Sequence, residues 1–324
     1  MNATATIDAP SAKRHDAYEN LLRRCQTLEP VITAIAYPCE ETALTGPIEA
    51  AEARLIKPIL VGPRQKIREV AKAAGLNIDP YEIEDVPDGR AAAARAVELI
   101  RMARAEVLMK GSLHTDDLMS AVVASGTGLR TGRRISHAFV MSVPTYPKPL
   151  IVTDSAINIA PTLDEKRDIC QNAIDLAHSL GRELPKVAIL SAVETVTTRI
   201  PSTIDAAALC KMADRGQITG ALVDGPLAMD NAISPEAART KGIKSPVAGD
   251  ADILVAPDLE AGNILAKQLT FLANADAAGI VLGARVPIIL TSRADSVRVR
   301  MASCGVALLV AHARRSGRTA RTET

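Results

Sequence analysis

The stretch Lys186-Val187-Ala188-Ile189-Leu190, followed by Ile204 to Ala213 and then Gly220-Ala221-Leu222-Val223, decides the fold class. A short apolar run, a segment with apolar residues at three- and four-residue spacing, and a second apolar run read as strand, helix, strand. A strand that is continuously apolar, without alternation, is buried on both faces. It therefore belongs to a parallel sheet covered by helices. The pattern extends outward in both directions. Val31 to Ala36, Lys57 to Val61, Ala105 to Met109, Leu150 to Thr153, Asp252 to Val255 and Val286 to Leu290 read as further strands, and Arg90 to Ala103, Glu165 to Ser179 and Glu260 to Ala273 as further helices. The expected fold class is α/β, with mostly parallel sheets sandwiched by helices.

A length of 324 residues exceeds one ordinary domain, so two are expected. The Pro-rich stretch Pro144-Thr145-Tyr146-Pro147-Lys148-Pro149 suits a crossover between them. Lys plus Arg (38) nearly equals Asp plus Glu (37), which leaves no net field to recruit nucleic acid or an anionic membrane. With no Trp, four Tyr and two Phe, the chain also has few rings on which bases could stack. No apolar run approaches the length of a membrane span, and the N-terminus lacks the apolar core of a secretory signal, so a cytoplasmic location is expected. Five widely separated cysteines without a C-x-x-C spacing read as free thiols rather than as a disulfide framework or a zinc site.

In open parallel sheets, ligands bind beyond the carboxyl ends of strands. Three such junctions carry polar chemistry. In the first, Lys110-Gly111-Ser112-Leu113-His114-Thr115 follows a strand; Thr115 is placed to cap a helix opening with Asp116 and Asp117, and Lys110, Ser112 and His114 stand at the cleft mouth. In the second, Gly126 to His137 gathers three glycines with Arg130, Arg133 and Arg134. The glycine spacing is not the dinucleotide fingerprint, but guanidinium groups match phosphate oxygens, and a solvated turn is the plainer alternative. In the third, the strand Val286 to Leu290 runs into Thr291-Ser292-Arg293-Ala294-Asp295. Ser292 and Asp295 have the S-x-x-D spacing of a capping box variant, and a helix start with a hydroxyl and an arginine is also a phosphate site. A fourth stretch, Asp250 to Asn263, has acids that suit a helix dipole; without a histidine, metal binding there is not expected.

The segments LMKGSLHTDDLM, GLRTGRRISHAFVM, TDSAINIAPTLDEKRDI, PKVAILSAVETV, DGPLAMDNAIS, VAGDADILVAPDLEAGNILAK and PIILTSRADS resemble, in order and spacing, the phosphate acetyl/butyryltransferase family. The resemblance runs from about Leu108 to Cys304, and GLRTGR, NIAPTL and TSRADS look more like the butyryltransferases. It implies an isocitrate-dehydrogenase-like fold with a cleft between two domains, residues 1–145 plus 293–324 and residues 146–292. The second domain would carry a homodimer interface. The implied reaction is reversible transfer of an acyl group between coenzyme A and inorganic phosphate, with coenzyme A a substrate and no cofactor bound permanently. Ser292 and Arg293 match the family's Ser-Arg pair at the reaction centre, Lys267 its Lys in AGN-x-x-x-K, and His114 and Thr115 its H-[ST]. Two positions depart from the acetyl enzymes. Their arginine near an N-terminal acidic pair is absent, Thr42 following Glu40 and Glu41, and their aspartate seven residues past the serine is Val299. Asp295 is the nearest carboxylate. Arg293, with Arg130 or Arg133, is assigned to phosphate, Ser292 to the thiol or oxyanion, and Lys267 to substrate or coenzyme A phosphates. Direct attack of thiolate in a ternary complex needs no protein nucleophile. Two other readings stay open: a nicotinamide- and metal-dependent decarboxylating dehydrogenase on the related fold, and a regulatory module that binds coenzyme A without turnover.

Overall fold

The computed structural model describes residues 16–291 and 295–317. Their strands are β1 (Val31–Ala36), β2 (Ile56–Gly62), β3 (Glu82–Asp85), β4 (Val107–Lys110), β5 (Ser136–Ser142), β6 (Leu150–Thr153), β7 (Lys186–Leu190), β8 (Leu222–Leu227), β9 (Ile253–Val255), β10 (Asp276–Leu282) and β11 (Ile288–Ile289). The helices are α1 (Asp16–Cys25), α2 (Glu41–Glu52), α3 (Arg64–Ala73), α4 (Gly89–Arg101), α5 (Thr115–Val123), α6 (Leu163–Ser179), α7 (Pro201–Asp214), α8 (Met229–Ile233), α9 (Pro235–Thr240), α10 (Leu259–Phe271) and α11 (Val297–Arg315). None of them is long and apolar enough to cross a membrane.

The strands form one sheet in the order β3-β2-β1-β4-β11-β10-β5-β6-β9-β7-β8. Neighbours are parallel except at β11–β10, β10–β5 and β5–β6. Three reversals in succession mean that β1, β2, β3, β4 and β11 point one way and β6, β7, β8 and β9 the other. The carboxyl ends of the first set thus share a sheet edge with the amino ends of the second. The Pro-rich stretch 144–149 lies in the loop between the antiparallel neighbours β5 and β6, so it closes a hairpin connection.

Helix α2 forms against its own composition. Gly46 and Pro47 lie inside it and cost about 1 and about 3 kcal/mol relative to alanine. Leu44 and Ile48, four residues apart on one face, are buried, and full burial of each contributes roughly 1.5–3 kcal/mol. Tertiary packing therefore holds this helix, and the partner across it is α11, which also packs on α1, α6 and β10. Helix α11 is buried around most of its circumference, from Ala302 to Ala311, as a central core helix must be.

Candidate active site

Strand order reverses at β1 and β4. From β1 the chain moves outward through β2 to β3, then returns to place β4 and later β11 on the other side. A crevice opens at such a switch point, beyond the carboxyl ends of the strands. Three segments emerge there: Tyr37 to Glu41 after β1, Lys110 to Thr115 after β4, and the segment beginning at Thr291 after β11.

The first two are fastened to each other. Tyr37 adopts φ 60, a region costly for a residue with a side chain. Its carbonyl accepts from the Ser112 backbone at 2.9 Å and from Ser112 Oγ at 2.9 Å. Ser112 Oγ in turn accepts from the Cys39 N–H at 3.2 Å. Gly111 permits this approach, because a Cβ there would lie 2.4 Å from the Tyr37 oxygen. The Ser112 hydroxyl therefore joins two loops. Lys110, only 4% exposed, donates to the carbonyls of Gly111 at 3.2 Å and Leu113 at 3.3 Å, which places a buried cation beneath the loop.

Thr291, where the third segment begins, is held by a residue that the sequence reading did not single out. Arg300, on the first turn of α11 and 2% exposed, donates from Nη1 to Thr291 Oγ1 at 2.8 Å. Burial lowers its pKa, and the charges of Asp295 and Glu40 oppose that shift. The available signal was an arginine opening a helix with no further charged residue from Met301 to Ala311, where no solvated face remains for it. From the other side, the buried His137 of β5 hydrogen-bonds the Leu290 carbonyl through Nε2, its Nδ1 having no partner. The bond passes over Gly279 of β10, where a Cβ would stand 3.0 Å from the Leu290 oxygen and 3.1 Å from Nε2.

Burial pushes the His137 pKa down to about 4 from the usual 6.5, with the Asp154 charge opposing. Between those two values the unfolded chain binds a proton that the folded one does not, so stability is lost as pH falls through the window. The slope attributable to this group reaches at most about 1.4 kcal/mol per pH unit. Melting temperatures are expected to drop from pH 7 to pH 4.5, and more steeply in the native chain than in H137Q. Parallel curves for the two would assign the acid sensitivity to other groups.

The remaining candidates divide by location. Ser292 and Arg293 lie outside the described residues. Asp295 precedes α11: Ser296 is the N-cap, its Oγ accepting from the Val299 N–H at 3.4 Å, so Asp295 is not the third residue of a helix capped by Ser292. His114, not Thr115, occupies the N-cap position of α5, without a side-chain cap bond; Thr115 is the first helical residue, and both are exposed. Arg130 and Arg133 are not brought to the crevice. Arg130 bridges Ala284, just past β10, at the opposite sheet edge, and Arg133 is ion-paired with Asp175 of α6. Lys267 is exposed on α10, which leads from β9 to the start of β10. In the fourth stretch Asp258 caps α10, accepting from the Ala261 N–H at 2.9 Å, while Asp250 and Asp252 pair with Lys148 at 2.7 and 2.9 Å.

All five cysteines are free thiols, and burial is the main cause that raises each. Cys25 and Cys39 are pushed up to about 11, and Cys170, Cys210 and Cys304 to about 12. The thiolate is the nucleophile, so none is poised to accept an acyl group at neutral pH. Intact-mass measurement after mixing with an acyl thioester should show unmodified protein; a stable adduct on any cysteine would contradict this.

Comparison with known proteins gives concordant results. Residues 88–307 match the family model described as phosphate acetyl/butaryl transferase. The chain is 65% identical to a phosphate acetyltransferase of Rhizobium meliloti, over 94% of this chain and 96% of that protein. It is 42% identical to a phosphate butyryltransferase of Clostridium beijerinckii, over 91% and 97%. Among solved structures, a branched-chain phosphotransacylase from Enterococcus faecalis superimposes with a TM-score of 0.77 at 31% identity, over 87% of this chain and 99% of that one.

Proposed function

The chain belongs to the phosphate acetyl/butaryl transferase family, and we propose that it transfers acyl groups reversibly between coenzyme A and inorganic phosphate in the crevice beyond β1, β4 and β11. The observation that carries this reading is the convergence of the loops after β1 and β4 and of Thr291, at the exit of β11, on that switch point with two buried cations, Lys110 and Arg300. In one direction a phosphate oxygen attacks the thioester carbonyl. The C–O bond forms, the tetrahedral oxyanion collapses, the C–S bond breaks, and the thiolate departs and takes up a proton. In the other direction the thiolate attacks the acyl phosphate and phosphate leaves. Both directions gather negative charge in one place, so fixed cations in a water-poor crevice lower the barrier. Arg293 binds phosphate, Ser292 donates to the oxyanion or the thiol, Asp295 handles the thiol proton, and Lys267 meets the coenzyme A phosphates. Arg130 and Arg133 are left to hold their own loop. No permanently bound cofactor enters the scheme.

The 65%-identical relative is named for the acetyl group, which supports acetyl as the preferred substrate. The domain division at residues 145 and 293, and a homodimer through the second domain, belong to the same reading; light scattering at micromolar concentration tests the dimer. The function itself is tested by coenzyme A release from acetyl-, propionyl- and butyryl-coenzyme A, with and without phosphate and with a strong chelator present. Phosphate-dependent, chelator-resistant release is expected. Release at the same rate without phosphate would sink the assignment. A nicotinamide-linked activity abolished by the chelator would favour the dehydrogenase reading instead.

A further inference from the structure

The most deeply buried cation near the crevice is Arg300, and its surroundings are built for it. Its stem lies against Gly46 of α2, where a Cβ would stand 2.8 Å from the arginine Cδ. Gly46 lowers the helix propensity of α2, and the space it leaves admits the arginine. The guanidinium reaches Thr291 Oγ1 at 2.8 Å, and the charges of Asp295 and Glu40 act on it. Glu40 belongs to the segment after β1, and Thr291 and Asp295 bracket the segment after β11. One turn further along α11, Ser303 Oγ accepts from the Gly279 N–H of β10 at 3.0 Å, which fixes the helix that carries Arg300 to the sheet.

We propose that Arg300 is a positioning residue for acyl transfer, holding Thr291, at the exit of β11, in a fixed place relative to α2 and the loop after β1. The inference rests on the acyl-transfer reading above. It assigns Arg300 no contact with substrate; it acts through Thr291. A guanidinium suits this because it is charged at every working pH and presents donors in a rigid fork. An apolar side chain of equal volume would fill the space and leave Thr291 untied. A misplacement of about 1 Å at a distance from the chemistry can cost about 10²-fold in rate.

The test compares R300M, R300K, T291V, T291S and the double variant R300M/T291V with the native enzyme. Phosphate-dependent coenzyme A release is measured, with kcat and the KM for acyl-coenzyme A determined separately and melting temperatures recorded alongside. R300M should lose about 10²-fold in kcat, on the scale of a small misplacement, while its KM changes little. R300K, which can still donate to Thr291, should recover part of the loss. T291V should reproduce the loss and T291S should reverse it. The double variant should be no slower than the slower single one, because both remove one interaction. Should R300M fail to fold, the pair T291V and T291S decides alone. Native-like kcat in T291V, or losses that multiply in the double variant, would overturn the proposal. A native enzyme without phosphate-dependent release would instead overturn the acyl-transfer reading, and this inference with it.

Discussion

R293A is expected to lower kcat roughly 10²–10³-fold, which corresponds to about 2.7–4 kcal/mol of transition-state stabilisation, and to raise the KM for phosphate. The reacting complex holds a phosphate group, a thiolate and an oxyanion together, and in low dielectric their mutual repulsion is large. Lys110 already donates to the carbonyls of Gly111 and Leu113, and Arg300 to Thr291, so these two cations are committed to the protein's own loops. They contribute field, and a separate cation is needed for direct contact with phosphate. Arg293 follows the β11 exit directly and matches the family's Ser-Arg pair, whereas Arg133 is ion-paired with Asp175 at the other sheet edge. R293K should recover only part of the loss, since an ammonium keeps the charge but not the planar fork that meets two phosphate oxygens. The melting temperature of both variants should stay near that of the native chain. Unchanged kinetics in a folded R293A would remove this residue from the site.

The sequence made the parallel part of the fold legible. β1, β6 and β7 follow the apolar runs residue for residue, and α4, α6, α7 and α10 follow the helical periodicity. The antiparallel centre was not legible. β5 opens on Ser136 and His137, and β10 on Asp276, Ala277, Ala278 and Gly279, so large apolar residues fill only Phe139 to Met141 of the first and Ile280 to Leu282 of the second. Their composition answers to tertiary demands: His137 must reach Leu290, and Gly279 must let it pass. β3 was missed for another reason. It reads Glu-Ile-Glu-Asp and forms the sheet edge, where acids blunt unwanted pairing. The site was half legible for similar reasons. Loops that follow apolar strands announce themselves, so Lys110, Ser112 and the segment after Leu290 stood out as candidates. The edge at which each loop lies is a property of strand direction. Strand direction removes Arg130 and Arg133 from the crevice and brings in Arg300, a residue eight positions beyond Ser292 in sequence.

D295N should lower kcat/KM by roughly 10²–10⁴-fold and remove the acidic limb of its pH profile, as loss of a general base does. Two other roles for Asp295 predict different results. The first is helix capping, and the fold assigns that to Ser296, whose Oγ accepts from the Val299 N–H. S296A should therefore cost about 0.5–2 kcal/mol of stability, while D295N should cost no cap. The second is service as a counter-charge to Arg300, on which the Asp295 carboxylate acts. In that role D295N would leave a buried guanidinium less well compensated, and the melting temperature would fall together with the rate at every pH. General-base catalysis separates the two observables, because asparagine keeps the size and the polar contacts of the side chain and loses only the site for the proton. Val299 cannot substitute, having no group that accepts a proton, although its position would otherwise be one turn into α11. A D295N enzyme that melts as the native chain does but has lost its rate would assign the thiol proton to Asp295. One that retains its rate across pH would leave deprotonation of coenzyme A to the field of Lys110 and Arg300, which favours the thiolate without accepting its proton, and the proton would then pass to water.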